Sequence, residues 1–275
     1  MFTAEKMVPE LRKLWSLKRG EVTAVIGAGG KTSTINLLSR EFRFSGVIYT
    51  TTTAVLLPDN IPHRIEIVES AQDLLTAVKK YKYSIQTKIS VAEVLVVGRK
   101  LTPARPGSDR SNKLLGLEAD WLNSLEQNIS GVKVLVEADG AASHRIKAPA
   151  EHEPVIPEIT DNLIVIQGAS ALGRKLNSPH CFRTNYVKNN MPENEIKNVN
   201  LKLYQLLFTG FPGYGDFVSE FAPTRLVLTQ CERQLFQLCR RLDWELRKNS
   251  TCEFEGFTAL NYNEVLEIVY HNDGC

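Results

Sequence analysis

The most informative segment of the 275-residue chain reads Val22-Thr-Ala-Val-Ile-Gly-Ala-Gly-Gly-Lys-Thr-Ser-Thr34. Residues 22–26 form a β-branched and apolar run that is typical of a buried strand. The run stops at the glycine-rich residues 27–30, and the apolar residues between Ile35 and Phe42 then recur at helical spacing. The segment therefore predicts a strand, a tight loop and a helix.

A loop of this kind suits phosphate binding. Its backbone N–H groups can surround an anion at the positive end of a helix, a lysine can reach the terminal phosphates, and the next hydroxyl can bind Mg²⁺. The pattern Gly-x-x-Gly-Lys-Thr resembles the loop of Mur-type peptide ligases, and it is shorter than a full P-loop because Val25 stands five residues before Gly30. The alternative is a glycine-rich turn with a solvated lysine. The predicted nucleotide-binding residues here are Gly27, Ala28, Gly29, Gly30, Lys31, Thr32 and Ser33.

Composition indicates an ordinary soluble protein, since 43% of residues are hydrophobic and 23% are charged. A net charge of +2 argues against a nucleic-acid or membrane-surface partner. The five scattered cysteines favour reduced thiols in a cytoplasmic protein, and neither a signal peptide nor a membrane span is expected.

The chain alternates apolar strands with helical patterns. Strands are predicted at 22–26, 47–49, 94–97, 132–136, 163–166 and 225–228, and helices at 5–18, 70–81, 118–127, 198–208, 231–246 and 264–270. This alternation predicts an α/β fold with a mainly parallel sheet, P-loop-type architecture and one layer of helices on each face. We expect a single nucleotide-binding domain over 1–275, with irregular insertions around 98–116 and 141–160 and a helical C-terminal part, 195–275.

Acidic and hydroxyl side chains follow two of the predicted strands. Glu137 and Asp139 point the same way if their strand continues, so that both, with Thr32, could hold one Mg²⁺ ion. Four threonines, 50–53, end another strand, and we expect Thr51 or Thr52 to assist at the nucleotide, although threonine is also common in strands without any function.

Two further segments have unusual composition. The segment Lys147-Ala-Pro-Ala-Glu-His-Glu-Pro-Val-Ile-Pro157 crowds charges between prolines, and its composition alone favours a solvated surface. A basic segment is either a solvated face or a lid that contacts an anion, and its charged residues are Arg99, Lys100, Arg105, Arg110 and Lys113.

These motifs, taken in order, resemble the YqeC family, described as accessory or selenium-cofactor proteins of selenium-dependent molybdenum hydroxylases. The resemblance covers most of the chain from Glu21 to about Leu228, and its most specific part is 137–157. It implies a P-loop-type fold and a role in maturing a molybdenum hydroxylase through nucleotide-driven handling of selenium or a cofactor. It also implies that Lys147, Glu151, His152 and Glu153 belong to a site, with Arg174, His180 and Arg183 as weaker candidates.

The sequence departs from the expected motifs in two places. Ser170 stands where the family pattern has an aspartate, and Thr229-Gln-Cys-Glu232 replaces a guanine-reading Asn-Lys-x-Asp, so both ATP and GTP remain as the nucleotide. The chain is thus predicted to be a P-loop NTPase or a nucleotide-dependent transferase. Its predicted catalytic residues are Lys31, Glu137, Asp139, Lys147 and His152. The alternatives are a nucleotide-gated chaperone, a Mur-like ligase and a plain structural domain.

Overall fold

A computed structural model describes residues 10–58, 61–87, 93–103, 112–177, 180–190, 197–221 and 223–261. Its helices are α1 Leu11–Leu14, α2 Lys31–Phe42, α3 Ala71–Gln86, α4 Ala119–Asn123, α5 Thr184–Asn189, α6 Leu201–Thr209, α7 Gly215–Glu220 and α8 Phe236–Asn249. Its strands are β1 Val22–Gly27, β2 Val47–Thr51, β3 Ala54–Leu56, β4 His63–Ile67, β5 Val94–Gly98, β6 Lys100–Thr102, β7 Lys113–Leu115, β8 Lys133–Glu137, β9 Ile146–Lys147, β10 Asn162–Gly168, β11 Cys181–Phe182, β12 Thr224–Thr229 and β13 Gly256–Ala259.

Eight strands form one sheet in the order β13-β12-β10-β1-β8-β2-β5-β4. Every neighbouring pair in it is parallel. Strand β1, which leads into the glycine loop, lies between β8 and β10, which places the ends of these three strands side by side. The predicted mainly parallel α/β sheet is confirmed.

Helices cover both faces of the sheet because side chains alternate along each buried strand. On one face, Val25 of β1 and Tyr49 of β2 belong to an apolar cluster with Ile35 and Leu38 of α2. On the other face, Ile26 and Ile48 belong to a second cluster that includes residues of α3, α6 and α8. The predicted layer of helices on each face is therefore present.

Two small sheets occupy the regions predicted to be irregular insertions. Strands β3, β7 and β6 form an antiparallel sheet that spans part of 98–116, and β9 pairs with β11 in parallel. Residues 104–111 of the basic segment, which include Arg105 and Arg110, lie outside the described residues.

Several element boundaries differ from the sequence prediction. The helix expected over 118–127 is the short α4 followed by a 3₁₀ turn, Glu126–Asn128. The long helix expected from Cys231 begins at Phe236, and strands β4 and β13 were not predicted. Because β12 and β13 both come from the C-terminal part, this part is not purely helical. The first residues of the predicted helix 5–18 and the predicted helix 264–270 lie outside the described residues.

Within the described ranges, the helices are too short or too polar to cross a membrane.

Candidate functional site

A cavity of about 340 Å³ opens at the carboxyl ends of the central strands. This volume is within the range of about 300–1,000 Å³ that small-molecule sites occupy. In open parallel sheets, ligands bind outside the carboxyl ends of strands where the strand order reverses, as it does beside β1. The cavity is lined by Gly29, Gly30, Lys31, Thr32, Ser33, Ala54, Val55, Leu56, Lys113, Glu137, Gly140, Ala141, Ala142, Ser143, His144 and Gln230.

The glycine-rich loop takes a backbone path that side chains would block. Gly27 and Gly29 have φ of 97° and 86°, in the region that favours glycine. A Cβ atom on Gly27 would stand 1.9 Å from the carbonyl oxygen of Ile166, and one on Gly29 would stand 2.3 Å from that of Arg145. Both glycines are therefore required by close backbone packing as well as by conformation.

The loop is also held from the end of β12. The hydroxyl of Thr229 and the side-chain amide of Gln230 both donate to the carbonyl oxygen of Gly29, each at 2.8 Å. Ser170 in turn donates to the side-chain oxygen of Gln230. The end of β12 and the residue that follows it thus fix the glycine loop in place.

Helix α2 begins directly after the loop, at Lys31. Its N-cap residue, Gly30, has no side chain that could accept from the first backbone N–H groups, and these groups have no intrahelical carbonyl partner. The Nζ atom of Lys31 is buried, donates to the carbonyl oxygen of Gly27 at 2.7 Å and lies 3.6 Å from Oε1 of Glu137. Burial lowers the pKa of Lys31, and the charge of Glu137 opposes this shift.

Glu137 connects the loop helix to the sheet. Its Oε2 atom accepts from the hydroxyl of Thr32 and from the phenol of Tyr49, each at 3.1 Å. A hydroxyl beside a carboxylate, with a lysine next to them, is a donor set that suits Mg²⁺ beside phosphate oxygens. The residues present therefore fit a magnesium–phosphate group, with Thr32 and Glu137 as the oxygen donors.

Asp139 belongs to a separate buried cluster. Strand β8 ends at Glu137, so the two carboxylates do not continue along one strand as the sequence prediction required. Asp139 accepts from the backbone N–H of Gly27 at 3.1 Å and from the phenol of Tyr214 at 2.5 Å, and it pairs with Lys147. It does not line the cavity, and its contacts hold the loop from behind.

Lys147 is the centre of this cluster. It is fully buried, pairs with both Asp139 and Glu153, and donates to the carbonyl oxygen of Gly140 at 2.5 Å. Burial lowers the pKa of Lys147 to about 8, against the opposing effect of Glu153. Burial by itself would raise the pKa of Glu153, but hydrogen bonds from Arg183 and Lys147 outweigh it and lower that pKa to about 2.

Like Gly27, Ala28, Asp139 and Lys147, the predicted site residues Thr51, Thr52 and His152 do not line the cavity. The hydroxyls of Thr51 and Thr52 donate to the backbone carbonyl oxygens of Glu137 and Val155, at 2.6 and 2.7 Å. His152 is exposed, as is Glu151, and neither lines the cavity. The threonines fasten strand ends together, whereas within the segment 147–153 only Lys147 and Glu153 join the buried cluster.

The basic candidates are divided between several places. Lys113 lines the cavity, whereas Arg99 pairs with Glu118. Arg183 pairs with Glu153 at 2.5 Å. Nη1 of Arg145 lies 2.6 Å from Nδ1 of His180, and desolvation, followed by the charges of Arg145 and Arg174, lowers the pKa of that histidine.

Sequence reasoning missed Ser143, His144 and Gln230 in the wall of the cavity. No local pattern marks these residues, because the fold brings them to the loop from sequence positions more than 100 residues away. A weak signal was present in Gln230, which stands two residues after the last predicted strand, 225–228.

The described cysteines do not line the cavity. Cys181, Cys231 and Cys239 are buried free thiols and Cys252 is half-buried, while Cys275 lies outside the described residues. In the described part of the chain, no group of three or more His, Cys, Asp or Glu side chains could hold a metal ion.

Comparison with known proteins gives a family but not an activity. The uncharacterized protein YqeC of Escherichia coli strain K12 is 29% identical over 172 residues, which cover 62% of this chain and 60% of the relative. The chain thus spans about 60% of the length of this curated relative. No solved structure matches the chain. The family described as YqeC protein matches residues 23–185, a range that contains the glycine loop, Glu137, Asp139, Lys147 and Glu153. With more than half of its length matched, the chain belongs to the YqeC family.

Proposed function

We propose that this protein binds a magnesium nucleoside triphosphate in the cavity and acts on its terminal phosphate. The observation that carries this proposal is the arrangement of Lys31, Thr32 and Glu137 at the start of α2, directly after the glycine loop. A phosphate at this position meets backbone N–H groups, the positive end of a helix and a lysine together. The proposal is of the P-loop-type, Mur-ligase-like kind that the sequence resembles, and it is supported by the contacts of Lys31, Thr32 and Glu137.

The chemistry required of the chain is mainly positioning and charge neutralisation. Lys31 moves from the carbonyl oxygen of Gly27 to the phosphate oxygens, where its charge meets a stronger partner. Thr32 and Glu137 would hold Mg²⁺, and the ion would supply positive charge beside the phosphate oxygens. Asp139 and Lys147 are positioning residues, because they act on the loop through the N–H of Gly27.

The base is either adenine or guanine. The residues after β12, Gln230-Cys-Glu232, include no aspartate that would select guanine. Gln230, together with Thr229, instead donates to the carbonyl oxygen of Gly29. We therefore propose a protein that accepts ATP or GTP.

A role in maturing a selenium-dependent molybdenum hydroxylase is the wider proposal, and it depends on the family resemblance rather than on geometry. Its test is whether the purified protein binds the apo form of such a hydroxylase in a nucleotide-dependent manner. Equal capture with and without nucleotide, or no capture at all, contradicts the wider role.

The first experiment is isothermal titration calorimetry with Mg·ATP and Mg·GTP. Wild type is compared with Lys31→Ala and with the control Lys79→Ala, which removes an exposed lysine from α3. We expect one bound nucleotide for wild type and the control, and an affinity lowered by at least about tenfold for Lys31→Ala, because a charged phosphate contact is lost. If wild type binds neither nucleotide, the proposed function is wrong.

Phosphate release measured in parallel separates the alternatives. Release by the protein alone identifies an NTPase. Release that needs a partner protein identifies a gated chaperone, and release that needs a carboxylate and an amine identifies a ligase.

A further inference from the structure

His144 is a cavity residue that the proposed function has not used. It lines the same cavity as Lys31 and Glu137, on the wall formed by residues 140–144. It is half-buried, so the ring is partly shielded from solvent but open to a ligand in the cavity.

The hydrogen bonding of the imidazole fixes its tautomer. Its Nδ1 atom lies 2.9 Å from the carbonyl oxygen of Ala141. A carbonyl can only accept, so Nδ1 carries the hydrogen and the lone pair of the neutral ring is on Nε2. The ring also packs against Phe182, with centroids 5.0 Å apart and planes at 40°. The hydrogen bond to Ala141 and the packing against Phe182 thus fix the orientation of the ring, and Nε2 is the nitrogen that can accept a proton.

The backbone that carries His144 is strained. Ala142 and Ser143 precede it with φ of 46° and 64°, a region that residues with a Cβ seldom adopt. The turn is closed by the N–H of His144, which donates to the carbonyl oxygen of Ala141 at 2.9 Å. Such strain is concentrated at functional sites, where the surrounding structure keeps a side chain in a required place.

The charges around His144 come from three directions. Lys31, Lys113 and Glu137 share the cavity with it. Behind its ring, Arg183 and Lys147 lie over Phe182, 4.9 and 5.6 Å from the ring centroid. Both cations pair with Glu153, and Lys147 also pairs with Asp139. The adjacent Arg145 is turned towards His180.

We propose that His144 is the general base of this site, accepting a proton on Nε2 from the water that attacks the terminal phosphate. A bond forms between the attacking oxygen and the phosphorus, and the bond from phosphorus to the bridging oxygen breaks. The nucleoside diphosphate leaves with the electron pair, and the proton passes from the attacking oxygen to Nε2 and then to solvent. This inference depends on the proposed function, since it needs a nucleoside triphosphate in the cavity.

The test compares His144→Gln with His63→Gln under saturating Mg·ATP or Mg·GTP. His63 is a matched control: it is also half-buried, its Nδ1 also lies 2.9 Å from a backbone carbonyl oxygen, that of Ile61, and it does not line the cavity. We expect His144→Gln to bind nucleotide within about threefold of wild type. Its rate of phosphate release should fall by about 10²–10⁴-fold, because a general base contributes about this much. The remaining rate should not decrease towards acidic pH as the wild-type rate does. His63→Gln should match wild type in both measurements.

A second measurement uses the wild-type protein. Diethyl pyrocarbonate modifies accessible imidazole nitrogens, and peptide mass spectrometry locates the modified histidines. Mg·nucleotide should protect His144 and leave His63 unprotected. The inference is overturned if nucleotide does not protect His144, if His144→Gln releases phosphate within threefold of wild type, or if wild type binds nucleotide but releases no phosphate. Failure of wild type to bind nucleotide overturns the proposed function instead.

Discussion

At the scale of single residues, the requirement for glycine at position 29 can be measured by comparison with Gly131, which has the same φ. Gly29 and Gly131 both have φ of 86°, but a Cβ on Gly131 meets nothing within 4 Å, whereas one on Gly29 meets Arg145 and Gly168 at 2.3 and 2.8 Å. We expect Gly131→Ala to lower the free energy of unfolding by about 1–2 kcal/mol, the usual cost of the left-handed conformation. Gly29→Ala should cost about 1–3 kcal/mol more, because the overlap displaces the loop.

Urea unfolding of both variants, with nucleotide titrations on each, measures this difference. Gly29→Ala should also lose nucleotide affinity, while Gly131→Ala should keep it. Equal stability and equal affinity for the two variants would mean that the close approach at Gly29 has no effect on the site.

The same scale shows what a sequence can reveal about the site. The residues from Gly27 to Thr32 were predictable because one short segment carries the loop, the lysine and the hydroxyl together. His144 and Gln230 were not, since their roles come from a strained turn and from the end of a distant strand. Lys147 was singled out through family resemblance, whereas its physical role as a buried counter-charge required the structure.

At the scale of elements, the buried pair of Lys147 and Asp139 fastens the segment 147–153 to the glycine loop. We expect Lys147→Met to lower the free energy of unfolding by about 3–5 kcal/mol, because it leaves Asp139 buried without a counter-charge. Asp139→Asn in the same chain should restore part of this loss. The coupling energy from the double-mutant cycle in urea unfolding is the measurement.

An exposed ion pair provides the comparison for that prediction. Arg241 lies 4.0 Å from Glu245 on the surface of α8, and Arg241→Met should change stability by less than about 0.5 kcal/mol. Additive effects of Lys147→Met and Asp139→Asn would contradict the inferred coupling.

The elements that the sequence predicted share a continuous apolar character. The six predicted strands are β1, β2, β5, β8, β10 and β12, and nearly all of their residues are buried. Strands β4 and β13 form the two edges of the sheet. Strand β4 contains His63, Arg64 and Glu66. Strand β13 has only four residues, Gly-Phe-Thr-Ala, and although three of them are buried, neither strand has a continuous apolar run in the sequence.

At the scale of the whole molecule, the sheet order explains why distant residues meet. Because β1 lies between β8 and β10, the loop after β1, the acidic end of β8 and the segment after β10 share one edge. The family match over 23–185 covers all three strands, and the chain beyond it adds Tyr214 and Gln230 as supports. The sequence predicted the parallel sheet and its polar edge, but the order of strands follows from long-range pairing that no local pattern encodes.

The stability of the whole molecule towards acid should depend on Glu153. Its folded-state pKa of about 2 lies below its usual value of 4.5, so between these pH values the unfolded chain binds more protons than the folded one. The stabilisation is therefore fully present above pH 4.5 and is lost as the pH falls to 2. By linkage it amounts to at most about 3 kcal/mol.

Urea unfolding at a series of pH values between 2 and 7 tests this dependence on wild type, Glu153→Gln and Glu158→Gln. Wild type should be more stable than Glu153→Gln at pH 7, and the difference should shrink through the window from 4.5 to 2, because protonation removes the same charge that the substitution removes. Glu158, whose side chain is exposed, is the control and should follow wild type throughout. A difference between wild type and Glu153→Gln that stays constant with pH would show that Glu153 stabilises the cluster by packing and not by its charge.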